Sequence, residues 1–302
     1  MPVAIAVLSI LAGVAALAGR AAAAPLDVVP QTSSNWAGYV VTGLPTPATD
    51  PATGQPVTDP VTGAPVTTPT TTTYSTASGT WTQPRAVCTL GSRAYSAFWV
   101  GLGGFSDGSQ ALEQIGTESD CTTSGRASYS VWYELVPDGP VSINLKLLPG
   151  DTVSASVAVS GQSVTVNIQN ITRKKTFSKV LTMAVAPDVS SAEWIAEAPS
   201  TCRSASDCSP LPLTNFGTVP FRSASATTTD GVTGTISNPL WSTTSIALQG
   251  TTGLSRFRSR YRFGPPAVVV DATPSPLSSD GSSFTVTWSR STPSGPPAAP
   301  LP

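Results

Sequence analysis

The feature that most constrains this fold is a succession of short runs that alternate or stay apolar, with no sustained helical period between them. They are Trp36–Thr42, Ser75–Thr82, Ser96–Leu102, Tyr129–Leu135, Val153–Val159, Ser163–Gln169, Thr176–Val185, Glu193–Glu197, Ser245–Leu248, Ala267–Ala272 and Ser283–Trp288. Turn signals separate them: Pro149-Gly150-Asp151, Ser160-Gly161, Asp230-Gly231 and Asp280-Gly281. Alternation with period two buries one face of a strand, and Gly or Asp-Gly closes the turn after it. The pattern predicts an all-β chain built as an antiparallel two-sheet β-sandwich, of the concanavalin-like or jelly-roll type. A body of about 250 residues is within the range of one all-β domain.

The flanks have a different character. Val3–Ala18 is apolar and is followed by Ala21–Ala24 and Pro25, which reads as a secretory signal peptide over residues 1–24, without the usual basic n-region. About sixteen apolar residues are short for a bilayer span, so no stable membrane anchor is expected. A short segment, 25–33, leads into the sandwich domain at 34–290, and a Pro-rich tail over 291–302 reads as disordered. Inside the domain, residues 44–73 are low in complexity and hold a tandem nonapeptide, DPATGQPVT at 50–58 and DPVTGAPVT at 59–67. Two copies do not make a solenoid, and the stretch reads as a long surface loop, flexible or partly extended.

Composition narrows the chemistry. The chain contains no histidine, which removes Ser-His-Asp and Cys-His catalysis, His-ligated metals and the usual proton shuttle of neutral pH. No metal and no cofactor is expected. Any chemistry rests on carboxylates, amides and hydroxyls, and carboxylates work most readily in acid. A formal net charge of −1 offers no field for nucleic acid. The run RFRSRYRF at 256–263 reads as a strand with a solvated basic face rather than a nucleic-acid site. Cys88, Cys121, Cys202 and Cys208 fit two disulfides and an extracellular, secreted protein. Three pairings are possible. Cys202 and Cys208 enclose a five-residue polar turn, RSASD, so they are the natural local pair, leaving Cys88 with Cys121.

Of the 17 acids, most sit at turns. The exceptions are Glu113 in ALEQIG, Glu134 in YSVWYELVP, and Glu193 with Glu197 in SAEWIAEAPS. A strand puts Glu193 and Glu197 on one face, on the order of 13 Å apart. A carboxylate among apolar neighbours is costly to ionise unless it is hydrogen-bonded, so it needs a reason. The plain alternative is a half-exposed strand with glutamates on its wet side.

Five segments in order change the balance: SNWAGYV (34–40), FWVGLGG (98–104), EQIGTESDC (113–121), VWYELVP (131–137), and AEWIAEAPS (192–200) followed by LPLTNFGTV. Together they resemble the glutamic peptidase family, the eqolisins. The resemblance implies a β-sandwich with a peptide groove on a concave sheet face, and a secreted acid endopeptidase acting on protein or peptide substrates as a monomer. It implies Glu197 as catalytic general base and Gln114 as its partner amide. Trp36 and Trp99 resemble groove-lining, substrate-binding tryptophans, Glu134 an acid in the hydrogen-bonding shell, and Glu193 a supporting residue. The roles follow from side-chain chemistry: a carboxylate can take a proton from water, while a neutral amide can only donate to the developing oxyanion or orient the water. Family members commonly carry Asp where this chain has Gly103, and the nonapeptide segment has no counterpart. The competing readings are a non-catalytic sandwich that binds glycans or peptides, which would have no use for the Gln114/Glu197 pair, and a glycosidase built on Glu134 and Glu197.

Overall fold

A computed structural model of the chain describes residues 28–68, 72–106, 108–204, 207–251 and 268–289. The expected leader, the tail after 290 and the run 256–263 lie outside those residues.

The described chain forms strands and turns only. The first strands are β1 (Val28–Ser33) and β2 (Trp36–Gly43), then the minimal β3 (Thr46–Pro47) and β4 (Thr67–Thr68). β5 (Tyr74–Thr82), β6 (Ala97–Gly103), β7 (Leu112–Cys121), β8 (Ala127–Val136) and β9 (Val141–Ile143) follow. Next are β10 (Thr152–Ser160), β11 (Ser163–Asn170), β12 (Lys175–Thr182) and β13 (Ser191–Glu197), then the hairpin β14 (Ser200–Ser204) with β15 (Asp207–Pro210). β16 (Thr218–Thr228), β17 (Thr233–Thr235), β18 (Trp241–Thr251), β19 (Val268–Pro274) and β20 (Phe284–Trp288) complete the set.

Hydrogen bonding runs through β12-β11-β10-β5-β16-β20-β19-β18-β2-β13-β6-β7-β8-β9 as one ladder. The ladder doubles back on itself, so that β10 and β11 lie over β6 and β7, and β5 lies over β6 and β13. The result is a two-layer antiparallel sandwich, the expected class, with the layers joined through β20, β19 and β18. Among the described strands, β1 departs from antiparallel pairing and runs parallel to β18.

Alternation builds the outer layer. Val153, Ala155 and Val157 of β10 and Val164, Val166 and Ile168 of β11 point inward, and a two-residue turn at Gly161 (φ 59°) joins the strands. Between the layers Trp81, Phe98, Trp194, Phe216 and Phe221 are buried, with Phe221 stacked on Phe284 at 5.0 Å. β6 and β13 are buried on both faces because the other side of their layer carries a second apolar cluster that includes Val40, Trp99, Trp132, Ile195 and Ile246. Their near-continuous apolar runs follow from that.

No run in the sequence marked β7, because polar residues interrupt it. Two of its polar side chains, Thr117 and Ser119, are buried and satisfied by the facing layer: Trp81 Nε1 donates to Thr117 Oγ1 at 2.9 Å, and Gln83 Nε2 to Ser119 Oγ at 2.7 Å. Disulfides join Cys88 to Cys121 and Cys202 to Cys208.

The repeat segment is ordered, which differs from the loop expected there. Each copy closes on its Asp-Pro-x-Thr-Gly start. Asp50 Oδ1 accepts from Ala52 N at 2.7 Å and Asp59 Oδ1 from Val61 N at 2.9 Å, while Gly54 and Gly63 take φ of 68° and 69°. Three residues nine apart then bond in a ring at 2.8 Å each: Ala48 N–H to Val66 C=O, Val57 N–H to Ala48 C=O, and Val66 N–H to Val57 C=O. Two hairpin leaves and a stem, β3 with β4, therefore meet at one junction. Nearly all of it is exposed, with Val61 at 89%.

Candidate active site

The register of β2, β13, β6, β7 and β8 sets out the groove face as rows across the sheet. One row reads Trp36, Glu197, Ala97, Glu118, Ser130; the next Gly38, Ile195, Trp99, Gly116, Trp132; the next Val40, Glu193, Gly101, Gln114, Glu134. Glu197, Trp99 and Gln114 thus lie on one diagonal, with Trp99 between the other two. A groove of about 320 Å³ lies over it, lined among others by Asn35, Trp36, Gln114, Trp132, Glu134 and Glu197.

Trp99 needs room, and glycines provide it. A Cβ at Gly116 would lie 2.6 Å from Trp99 Cβ and 2.5 Å from Phe98 O, and one at Gly101 would lie 3.0 Å from the Trp99 ring. The indole occupies this space, 0% exposed, with the Trp36 ring at 5.0 Å and 77° to it. It floors the groove instead of lining it, and it touches the groove chemistry through its nitrogen. Trp99 Nε1 donates to Glu197 Oε2 at 2.7 Å, and Asn35 Nδ2 donates to Glu197 Oε1 at 3.1 Å. Gln114, 4% exposed, donates from Nε2 to Glu134 Oε2 at 2.7 Å, and its Oε1 has no partner among the described residues.

Burial pushes the Glu197 carboxyl up to about 7; the Trp99 and Asn35 hydrogen bonds pull against this, and the Glu134 charge adds to it. Burial also raises Glu134, with the Gln114 amide offsetting part of the rise. The two carboxyls line the same groove. Among the described residues no three acids or cysteines converge in a way that could hold a metal ion.

Two further positions depart from expectation. Gly103 has φ +83°, and a Cβ there would lie 2.6 Å from the Asp188 Cβ, so no aspartate fits. The Asp188 carboxylate packs at that point instead, accepting from Gly104 N at 3.1 Å, Ser190 N at 2.9 Å and Ser109 Oγ. Burial works to raise Asp188, but these hydrogen bonds outweigh it and hold the carboxyl below its ordinary range. Glu193 shares the alternation face of Glu197 but is 0% exposed, with no hydrogen-bond partner for either oxygen among the described residues; burial pushes it well up. Asn35, Gly101 and Gly116 were not singled out in the sequence. Asn35 sits one residue before Trp36 inside a quoted motif, Gly101 lies two residues after Trp99 on the same strand, and Gly116 faces Trp99 only once the register is known.

Comparison with known proteins identifies the family and the fold. The model of the Peptidase A4 family matches residues 59–257. Among solved structures, the chain resembles scytalido-glutamic peptidase bound to a transition-state analog inhibitor at 21% identity and TM-score 0.58, covering 86% of this chain and 100% of that one. It also resembles SCP-B, an eqolisin in complex with the tripeptide Ala-Ile-His, at 21% identity, TM-score 0.52 and the same coverage. At such identities these likenesses concern the fold. No curated protein matches the sequence.

Proposed function

The chain belongs to the Peptidase A4 family, the glutamic peptidases, and from that premise we propose that Glu197 and Gln114 hydrolyse peptide bonds through a bound water. Ionised Glu197 takes a proton from the water, which attacks the scissile carbonyl carbon. One N–H of the Gln114 amide donates to the oxygen that becomes negative, while Glu134 accepts the other N–H and so fixes the direction of the amide. The tetrahedral intermediate collapses as the Glu197 carboxyl returns the proton to the leaving amine nitrogen. No step needs a covalent intermediate.

The observation that carries this reading is the diagonal of Glu197, Trp99 and Gln114 in one groove, with the Gln114 amide oriented by Glu134. We assign the activity to residues 34–290 acting as a monomer on protein or peptide substrates, since one chain supplies every group named. Secretion is part of the same reading: two disulfides suit an oxidising compartment.

The test is hydrolysis of a quenched peptide from pH 2 to 9, with pepstatin and a chelator as controls. Folded Glu197→Gln should be inactive, and Gln114→Ala should lose about two to three orders of magnitude in kcat. Glu134→Gln should move the alkaline limb, and Glu193→Gln should retain activity. Turnover in folded Glu197→Gln at the wild-type rate would refute the mechanism.

A further inference from the structure

We propose that Asn35 is a positioning residue for Glu197, with its amide direction set by Ser33; the inference rests on Glu197 being the base. Asn35 lies in the bend between β1 and β2, half-buried at the groove rim. Its backbone is fixed to the strand carrying the base, because Ala198 N donates to Asn35 O at 2.8 Å. Which end of the amide faces Glu197 follows from counting hydrogens. A serine hydroxyl has one hydrogen and two lone pairs. Ser33 Oγ accepts from Trp36 N at 3.1 Å and from Asn35 N at 3.3 Å, which fills both lone pairs. Its single hydrogen goes to Asn35 Oδ1 at 3.0 Å. The NH₂ end is therefore the end on Glu197 Oε1, at 3.1 Å.

The consequence concerns where a proton can sit on Glu197. Asn35 Nδ2 and Trp99 Nε1 are donors only, one on each carboxylate oxygen. Neither can accept a carboxyl proton. These two bonds thus favour the ionised form against the burial that opposes it, and a proton arriving on Glu197 must occupy a lone pair directed away from both donors, where a bound water would meet it. Asn35 contributes one of the two hydrogen bonds behind that bias, the longer of the pair.

The test compares the pH dependence of kcat/KM for wild type, Asn35→Ala, Asn35→Asp and Ser33→Ala, with the Tm of each at one pH. A lost hydrogen bond to a charged group corresponds to about one to two pH units, so the acid limb of Asn35→Ala should rise by that amount. Asn35→Asp should raise it further through like charge, and Ser33→Ala should raise it less. A fall in Tm with an unmoved acid limb would mean a structural role only and overturn the proposal. If Asn35→Ala does not fold, Ser33→Ala decides by the same criterion. Glu197→Gln in the same assay separates the two levels: turnover there removes the base reading itself, whereas an inactive Glu197→Gln beside an unmoved Asn35→Ala limb removes only Asn35.

Discussion

Glu113 should make the protein lose stability steeply as pH rises above the carboxyl range. It sits on β7 opposite Leu102 and Leu135, 0% exposed, with neither oxygen in a hydrogen bond among the described residues. Burial pushes its carboxyl from 4.5 up to about 8; the nearby Asp188 amide, outside hydrogen-bonding geometry, offsets only part of this. The sign follows from proton counting. Between those two pH values the unfolded chain has lost the Glu113 proton and the folded chain has kept it. Stability is therefore full below about pH 4.5 and falls by about 1.4 kcal/mol for each pH unit, or about 5 kcal/mol by pH 8. That is a large share of the ~5–15 kcal/mol available to a typical domain. Glu113→Gln removes this titration but buries an amide without partners, at a cost of about 1–3 kcal/mol. The variant should be less stable than wild type at pH 4.5 and more stable at pH 8, so the two curves cross. Urea unfolding at pH 4.5, 6, 7 and 8 with disulfides intact measures both. Parallel curves for wild type and Glu113→Gln would refute the reasoning, since they would place that proton elsewhere.

Gly116→Ala should lower stability by about 1–3 kcal/mol and reduce kcat, because the new Cβ must displace Trp99 or the Phe98 carbonyl; unchanged Tm and unchanged turnover would show that the indole can move freely. Replacing residues 48–66 by Asn-Gly, between Pro47 and Thr67 of the β3–β4 stem, should leave kcat/KM unchanged and shift Tm by no more than a few degrees. A larger fall would show that the junction supports the body.

Strands with a clear period were legible in the sequence, and those with compensated polarity were not. β10, β11 and β13 fall within a residue or two of the runs that announced them. β7 was not in that set although it carries Gln114, because Thr117 and Ser119 read as surface until Trp81 and Gln83 are known to face them. β1 lacks a signal of its own, since four of its six residues are exposed and its order comes from pairing with β18. Within the site, the acids and tryptophans stood out by residue type. Asn35 acts through a partner 162 positions away and Gly116 across the ladder from Trp99, and no local pattern reports such a contact. The same limit applies to Gly103 and Asp188, whose exchange of place is visible only in space.

The three-way junction at Ala48, Val57 and Val66 has a consequence for copy number. In a stacked repeat each new unit offers open backbone groups to the next, so duplication can extend the array at little cost. Here each of the three residues donates its N–H once and accepts at its C=O once, and the ring is complete. A third nonapeptide would find no N–H donor left at the junction. It would have to break the ring or protrude as an unpaired flap. The tandem pair is therefore a closed count rather than the start of a series, and a lengthened version of this segment would gain an exposed loop without gaining structure.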